Sequence, residues 1–130
     1  MSDPSSPAVR PLNVPDMRGD SRLVQQAMAF IHEHYKEPIS RADVANQPNI
    51  NEQYLSRCFN KELGVGPMVY LSRYRIQRAR RLLELGGLSI TQVAMDVGMS
   101  SQSYFSRVFQ EEMGVTPSQY QRGVRSGGKT

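Results

Sequence analysis

The chain contains one pattern twice. Residues 54–70 (YLSRCFNKELGVGPMVY) and 104–120 (YFSRVFQEEMGVTPSQY) align at an offset of 50, with nine of 17 positions identical. Most of the other positions exchange one apolar residue for another or one polar residue for another. The repeat continues upstream at an offset of 49, where SRADVA at 40–45 matches SITQVA at 89–94. The second copy therefore carries one extra residue in its turn region. A chain of 130 residues is long enough for one compact domain and too short for two ordinary ones. The repeat thus predicts two small copies of a single supersecondary unit.

Each copy opens on a helix start. Ser40 with Asp43, and Ser89 with Gln92, fit a capping serine followed three residues later by a side chain that returns the bond. A short helix follows, carrying Val44-Ala45 or Val93-Ala94. Four residues after the alanine stand Asn49 and Gly98, types that tolerate the left-handed backbone of a tight turn. An apolar residue comes next, Ile50 or Met99, and a second helix is expected to start at Asn51 or Ser100. A small residue for close crossing, a left-handed turn and an apolar plug together make the pattern of a helix-turn-helix.

The second helix of each copy has two faces. Tyr54, Leu55, Cys58, Phe59 and Leu63 form an apolar face in the first copy; Tyr104, Phe105, Val108, Phe109 and Met113 form it in the second. Opposite them lie Gln53, Ser56, Arg57 and Asn60, and Gln102, Ser103, Ser106, Arg107 and Gln110. These stripes hold no carboxylate, and their residue types are the ones that hydrogen-bond base edges: arginine to guanine, glutamine to adenine, serine to either. An ordinary solvated face mixes in glutamate and lysine. Here the acidic residues Glu62, Glu111 and Glu112 sit toward the far ends of the helices.

Between the copies, Pro67 starts a long helical pattern through Tyr70, Leu71, Tyr74, Ala79, Leu82 and Leu83, ending at Gly86-Gly87. At 1.5 Å per residue such a helix spans ~28 Å, close to the ~34 Å of one DNA turn. It could therefore hold two recognition helices in successive major grooves. It carries Arg73, Arg75, Arg78, Arg80 and Arg81 against Glu84 alone. Some of these arginines are expected near phosphates, others in pairs with carboxylates. Lysine and arginine number 16 against 12 acidic residues, and arginine dominates the basic set.

Leu23, Ala27, Phe30, Ile31 and His34 mark a further amphipathic helix over 21–35. No strand alternation appears, so the expected fold is all-α, of about seven helices. Residues 1–19, rich in proline and serine, read as a disordered arm or linker, and 123–130 as a flexible tail. Between them we expect a first helix-turn-helix subdomain at 20–66, a connecting helix at 67–86 and a second subdomain at 87–122.

The strings YLSRCFNKELGVGPMVYL, RIQRARRLL and ITQVAMDVGMSSQSYFSRVFQEEMGVTPSQY resemble the DNA-binding domain of the AraC/XylS family of bacterial transcription regulators over residues 21–122. The resemblance implies two helix-turn-helix subdomains joined by a long helix, double-stranded DNA as partner, contact with RNA polymerase, and promoter regulation, commonly activation. It places base contacts on Gln53, Ser56 and Arg57, and on Gln102, Ser103, Ser106 and Arg107. We expect Ser40, Asn60, Lys61, Arg73, Arg78, Ser89, Ser101 and Gln110 on the DNA backbone. The sequence departs from the family at Pro48-Asn49, where a small residue and glycine are usual; Pro48 should end the first short helix early. The linker-like start favours a C-terminal part of a longer regulator over a stand-alone protein.

Other chemistry finds little support. His32 and His34 face different sides of a helix and suit no metal. Cys58 lies on an apolar face, and a single cysteine builds no disulfide framework. We find no phosphate loop, nucleophile motif or carboxylate pair, and so expect no enzyme, cofactor, metal or small-molecule pocket. No signal peptide or membrane segment is apparent, which suits a cytoplasmic location. The competing reading is a helical protein-interaction module that has lost DNA reading and sequesters a related regulator.

Overall fold

The computed structural model describes residues 13–127, with side chains for 20–124. All its regular elements are helices: α1 Asn13–His34, α2 Arg41–Asn46, α3 Glu52–Leu63, α4 Pro67–Leu85, α5 Ile90–Asp96, α6 Gln102–Met113 and α7 Pro117–Gly127. The all-α expectation of about seven helices holds for these residues. Two ends differ from the reading of the sequence. The first helix begins at Asn13, inside the stretch assigned to a disordered arm. Pro15 falls in its first turn, where a missing N–H forfeits no intrahelical bond. Likewise α7 runs to Gly127, into the expected tail. Residues 1–12 and 128–130 of those two segments lie outside the described residues.

By internal contacts the chain divides into two compact units. The first holds α1 as far as Ile31 together with Ser40–Pro67, and the second holds His32–Ile39 and the chain from Met68 onward. The segment His32–Ile39 thus groups with the second unit, although a cut by sequence alone leaves it in the first.

In the first unit, Val24, Ala27 and Ile31 of α1, Val44 and Ala45 of α2, and Leu55, Cys58 and Phe59 of α3 are buried. The α1 residues repeat at three and four, so one stripe of the helix supplies the core. Ser40 closes the predicted capping box with Asp43. The short helix α2 has six residues where α5 has seven, as expected of Pro48. Asn49 then takes a φ of 61°, and the Ile50 amide reaches back to the Ala45 carbonyl at 3.1 Å. An unusual turn residue therefore produces the ordinary turn, because asparagine accepts the left-handed backbone.

The second unit repeats this construction. Ser89 and Gln92 form the capping box, Gly98 has a φ of 90°, and the Met99 amide bonds the Ala94 carbonyl at 2.8 Å. Its core joins Ile76, Ala79 and Leu83 of α4 to Val93, Ala94, Val97 and Met99, and to Phe105 and Phe109 of α6. Truncating either phenylalanine to alanine would cost about 3–5 kcal/mol. The segment after α1 is fastened to this core. Arg75 of α4 donates from Nε to the Tyr35 carbonyl at 2.7 Å and from Nη2 to the Glu37 carbonyl at 2.8 Å. The Tyr35 ring meets Tyr74 edge-on, and His32 stacks on Tyr74 with ring centres 4.3 Å apart. These contacts explain why His32–Ile39 groups with the second unit.

Two apolar-face expectations fail. Leu63 and Tyr104 are exposed, at 39% and 44%. Leu63 is the last residue of α3, where the following Gly64 turns left-handed and the chain leaves the core.

Candidate nucleic-acid interface

Each recognition-type helix starts on a cap that fixes its entry from the turn. Asn51 accepts the Tyr54 amide at 2.7 Å; Ser101 accepts the Tyr104 amide at 3.2 Å. The second cap is Ser101 and not Ser100, so the extra residue of the second copy is Ser100, placed between the apolar plug Met99 and the cap. A side-chain bond then ties the short helix of each unit to the first residue of the long one. Arg41 pairs with Glu52 at 3.0 Å, and the Thr91 hydroxyl donates to Oε1 of Gln102.

The two faces correspond at the offset of 50. Gln102 occupies the position of Glu52, with its carbonyl already engaged, while Ser103, Ser106, Arg107 and Gln110 correspond to Gln53, Ser56, Arg57 and Asn60. In both units the glutamine or serine, the arginine and the final amide of the stripe are exposed, and Ser56 and Ser106 are half-buried. The structure therefore brings Gln53, Ser56, Arg57 and Asn60 to one exposed face in the first unit, and Gln102, Ser103, Ser106, Arg107 and Gln110 to one in the second. Asn60 uses its amide on its own helix, donating to the Ser56 carbonyl at 2.8 Å.

The two arginines are held differently. Arg57 lies over the Tyr54 ring at 5.6 Å, and the Tyr54 hydroxyl donates to Oδ1 of Asp20 at 2.7 Å. That bond, then the charge of Asp20, pushes the Tyr54 phenol up to about 12, and the same bond is the largest cause lowering the Asp20 carboxyl. Lys61 reaches the other oxygen of Asp20 at 3.4 Å. Arg107 lies over Tyr104 at 5.2 Å and pairs with Glu111 at 3.6 Å. Asp20 escaped the sequence reading because it borders the proline-rich start and shares no spacing with α3.

Of the residues expected on the DNA backbone, Ser40, Ser89 and Ser101 accept the amides of Asp43, Gln92 and Tyr104. Each keeps its hydroxyl proton free to donate to a phosphate oxygen. Arg78 is exposed and lies over the Tyr35 ring at 5.9 Å. Arg73 pairs with Glu112 at 3.2 Å, both partly exposed. A groove of about 500 Å³ opens between α4 and α6, with Val69, Tyr104 and Val108 along it and the Arg73–Glu112 pair at its side; no motif in the sequence pointed to it. Among the described residues no group of three or more His, Cys, Asp or Glu could hold a metal ion. No described helix is long and apolar enough to cross a membrane.

A family model described as "Helix-turn-helix domain" matches residues 44–123. Among curated relatives, the HTH-type transcriptional activator RhaS of Klebsiella pneumoniae is 31% identical over 84 residues, 65% of this chain and 30% of RhaS. A Chromobacterium violaceum transcriptional regulator, described as having an AraC-type DNA-binding domain, superposes with a TM-score of 0.75 at 28% identity. That match covers 82% of this chain and 96% of that one. The DNA-binding domain of AdpA, solved in complex with a target DNA, superposes with a TM-score of 0.75 at 25% identity, covering 79% and 93%. The chain spans 27% to 32% of the length of the curated relatives it matches first.

Proposed function

The chain belongs to the AraC/XylS family of transcription regulators, as a DNA-binding domain of that family, and from that premise we propose that it reads double-stranded DNA with both α3 and α6, each in a major groove. The observation that carries this is the pair of capped helices, each preceded by a left-handed turn and each presenting an exposed Gln/Ser/Arg stripe free of carboxylates. Glu52, at the edge of the first stripe, is neutralised by Arg41. A helix entering the groove by its N-terminal half meets base edges with Gln53, Ser56 and Arg57, or with Ser103, Ser106 and Arg107. Gln102 offers its remaining amide hydrogens.

Backbone contacts are assigned to the hydroxyls of Ser40, Ser89 and Ser101, to Asn60, Lys61 and Gln110, and to Arg73 and Arg78 once phosphates compete for their present partners. The 19-residue helix α4 belongs to the second unit from Met68 on, and its ~28 Å length suits reading helices spaced about one DNA turn apart. Activation is the regulatory sign we propose, by analogy with the relative named as an activator, with RNA polymerase as the protein partner and the cytoplasm as the site of action.

The test is selection of bound sequences from a random duplex pool, followed by affinity measurements on point-substituted sites. Arg57→Ala and Arg107→Ala should each cost about 1–3 kcal/mol and relax preference at separate base pairs. Binding should weaken steeply with salt. Equal affinity of parent and variants for all sequences would refute base reading; protection of a single groove would refute dual reading. A complete absence of salt-sensitive DNA binding would favour the interaction-module alternative.

A further inference from the structure

The two reading arginines sit on tyrosine rings, but only one of those rings is anchored. We propose that Asp20 is a specificity-determining positioning residue of the first unit: through the Tyr54 hydroxyl it fixes the ring on which Arg57 lies, and so sets the base preference that Arg57 reads. The inference rests on the reading that α3 enters the groove.

Asp20 lies on α1, and its side chain is only 14% exposed. One oxygen accepts the Tyr54 hydroxyl at 2.7 Å and the other faces Lys61 at 3.4 Å. A hydrogen bond to a shielded carboxylate is charge-assisted and stronger than one between neutral groups. It holds the far end of the ring, which torsions at Cα and Cβ would otherwise leave free to swing. The guanidinium of Arg57 lies over that ring at 5.6 Å. Arginine reads guanine through a planar fork, so a fixed plane beneath it limits the orientations it must give up on binding.

The second unit lacks such an anchor. Tyr104 is 44% exposed, and no carboxylate among the described residues accepts its hydroxyl. Arg107 instead pairs along its own helix with Glu111 at 3.6 Å. The place of Glu111 in α3 is taken by Lys61, which turns toward Asp20. Asp20 therefore does two opposed things. It orders Arg57, and it draws a cation away from the DNA backbone.

That opposition gives the test. On the selected site and on variants at the base pair whose preference is lost in Arg57→Ala, the discrimination ratio should fall roughly three- to tenfold in both Asp20→Ala and Tyr54→Phe. This is part of the ~5- to 150-fold that a bidentate arginine contributes. Affinity of Asp20→Ala for unrelated duplex should rise, because one carboxylate is gone and Lys61 is released. A merely structural role would lower both quantities together. Discrimination at the base pair read by Arg107 should not change in either variant. In an Arg57→Ala background, Asp20→Ala should cause no further loss of discrimination. If Asp20→Ala fails to fold, Tyr54→Phe carries the test, since it keeps the ring and removes only the hydroxyl. An unchanged ratio in the folded variants, with collapse in Arg57→Ala, overturns the inference alone. If Arg57→Ala itself leaves the ratio intact, base reading by α3 fails instead.

Discussion

Replacing Gly98 by alanine should damage the second unit more than any turn substitution damages the first. The φ of Gly98 is 90°, outside the small left-handed region open to residues with a side chain, which by itself costs about 1–2 kcal/mol. An added Cβ would also stand 2.7 Å from the Tyr35 carbonyl oxygen and 2.9 Å from that of Lys36. Such contacts are relieved only if the backbone moves, and here it is pinned, because the Tyr35 carbonyl accepts the Arg75 Nε–H at 2.7 Å. Losing a hydrogen bond to a charged group costs about 1.5–3 kcal/mol. The total is about 3 kcal/mol or more. Asn49 is the control: its φ of 61° lies within the left-handed region, so Asn49→Ala should cost about 1 kcal/mol. Urea unfolding followed by helical circular dichroism, with each transition fitted separately if the units melt apart, gives both values. A Gly98→Ala cost within about 0.5 kcal/mol of the Asn49→Ala cost would refute the argument that close approach, and not φ alone, demands glycine.

Other perturbations have equally definite signs. Arg75→Met removes the donors to the Tyr35 and Glu37 carbonyls and should destabilise by about 2 kcal/mol, seen as a lower thermal midpoint. The two histidines should titrate on opposite sides of 6.5 when followed by nuclear magnetic resonance. Burial lowers His32, while the hydrogen bond to Glu37 raises His34. A lowered imidazole contributes stability that is lost as pH falls from about 6.5 through its folded-state pKa, whereas the His34–Glu37 pair contributes below about 6.5 and is lost as pH rises through the folded-state pKa. A His32 midpoint at or above 6.5, or a His34 midpoint at or below it, would contradict the corresponding assignment. Glu111→Gln releases Arg107 and should tighten DNA binding by about two- to fivefold at low salt, the range of an exposed ion pair; weaker binding would count against Arg107 as a DNA contact.

The repeat made the backbone of both units legible, because each step in it is local. A capping box, a left-handed residue and an apolar plug all depend on neighbours within a few positions, and all of them appear at the expected residues. The start of α1 was hidden because proline and serine content signals disorder, yet a proline in a first turn is harmless. The sequence does not tell Ser100 from Ser101 as the cap, because two serines adjoin and only Ser101 has an amide in reach. The candidate site was legible as residue types on a face, and the structure supplied what orients them. Asp20, Glu111 and the Thr91–Gln102 bond act between segments of no fixed spacing, and a single sequence carries no pattern for such pairs. The grouping of His32–Ile39 with the second unit was hidden for the same reason, since it depends on Arg75, some 40 positions away.

Two units built to one plan need not read alike, and the differences here fall at the proposed reading positions themselves. The first presents Gln53, Ser56, Arg57 and Asn60; the second presents Ser103, Ser106, Arg107 and Gln110, with Gln102 beside them. Glutamine and serine at the leading position offer different hydrogen-bond patterns to a base edge, so the two half-sites should differ in sequence. Their arginines also differ in readiness. Arg57 rests on an anchored ring, with a lysine one turn on. Arg107 must first leave Glu111, and that exposed pair weakens as ions screen it. Added salt therefore offsets part of its own penalty at Arg107 by loosening the competing pair, while Arg57 pairs with no carboxylate among the described residues and gains nothing from that screening. Base discrimination by Arg57 should then depend on the ordering of one side chain, and discrimination by Arg107 on ionic strength. Measuring the two base-pair preferences across a salt series separates them, and a ratio between them that stays constant would mean that Glu111 does not restrain Arg107 in solution.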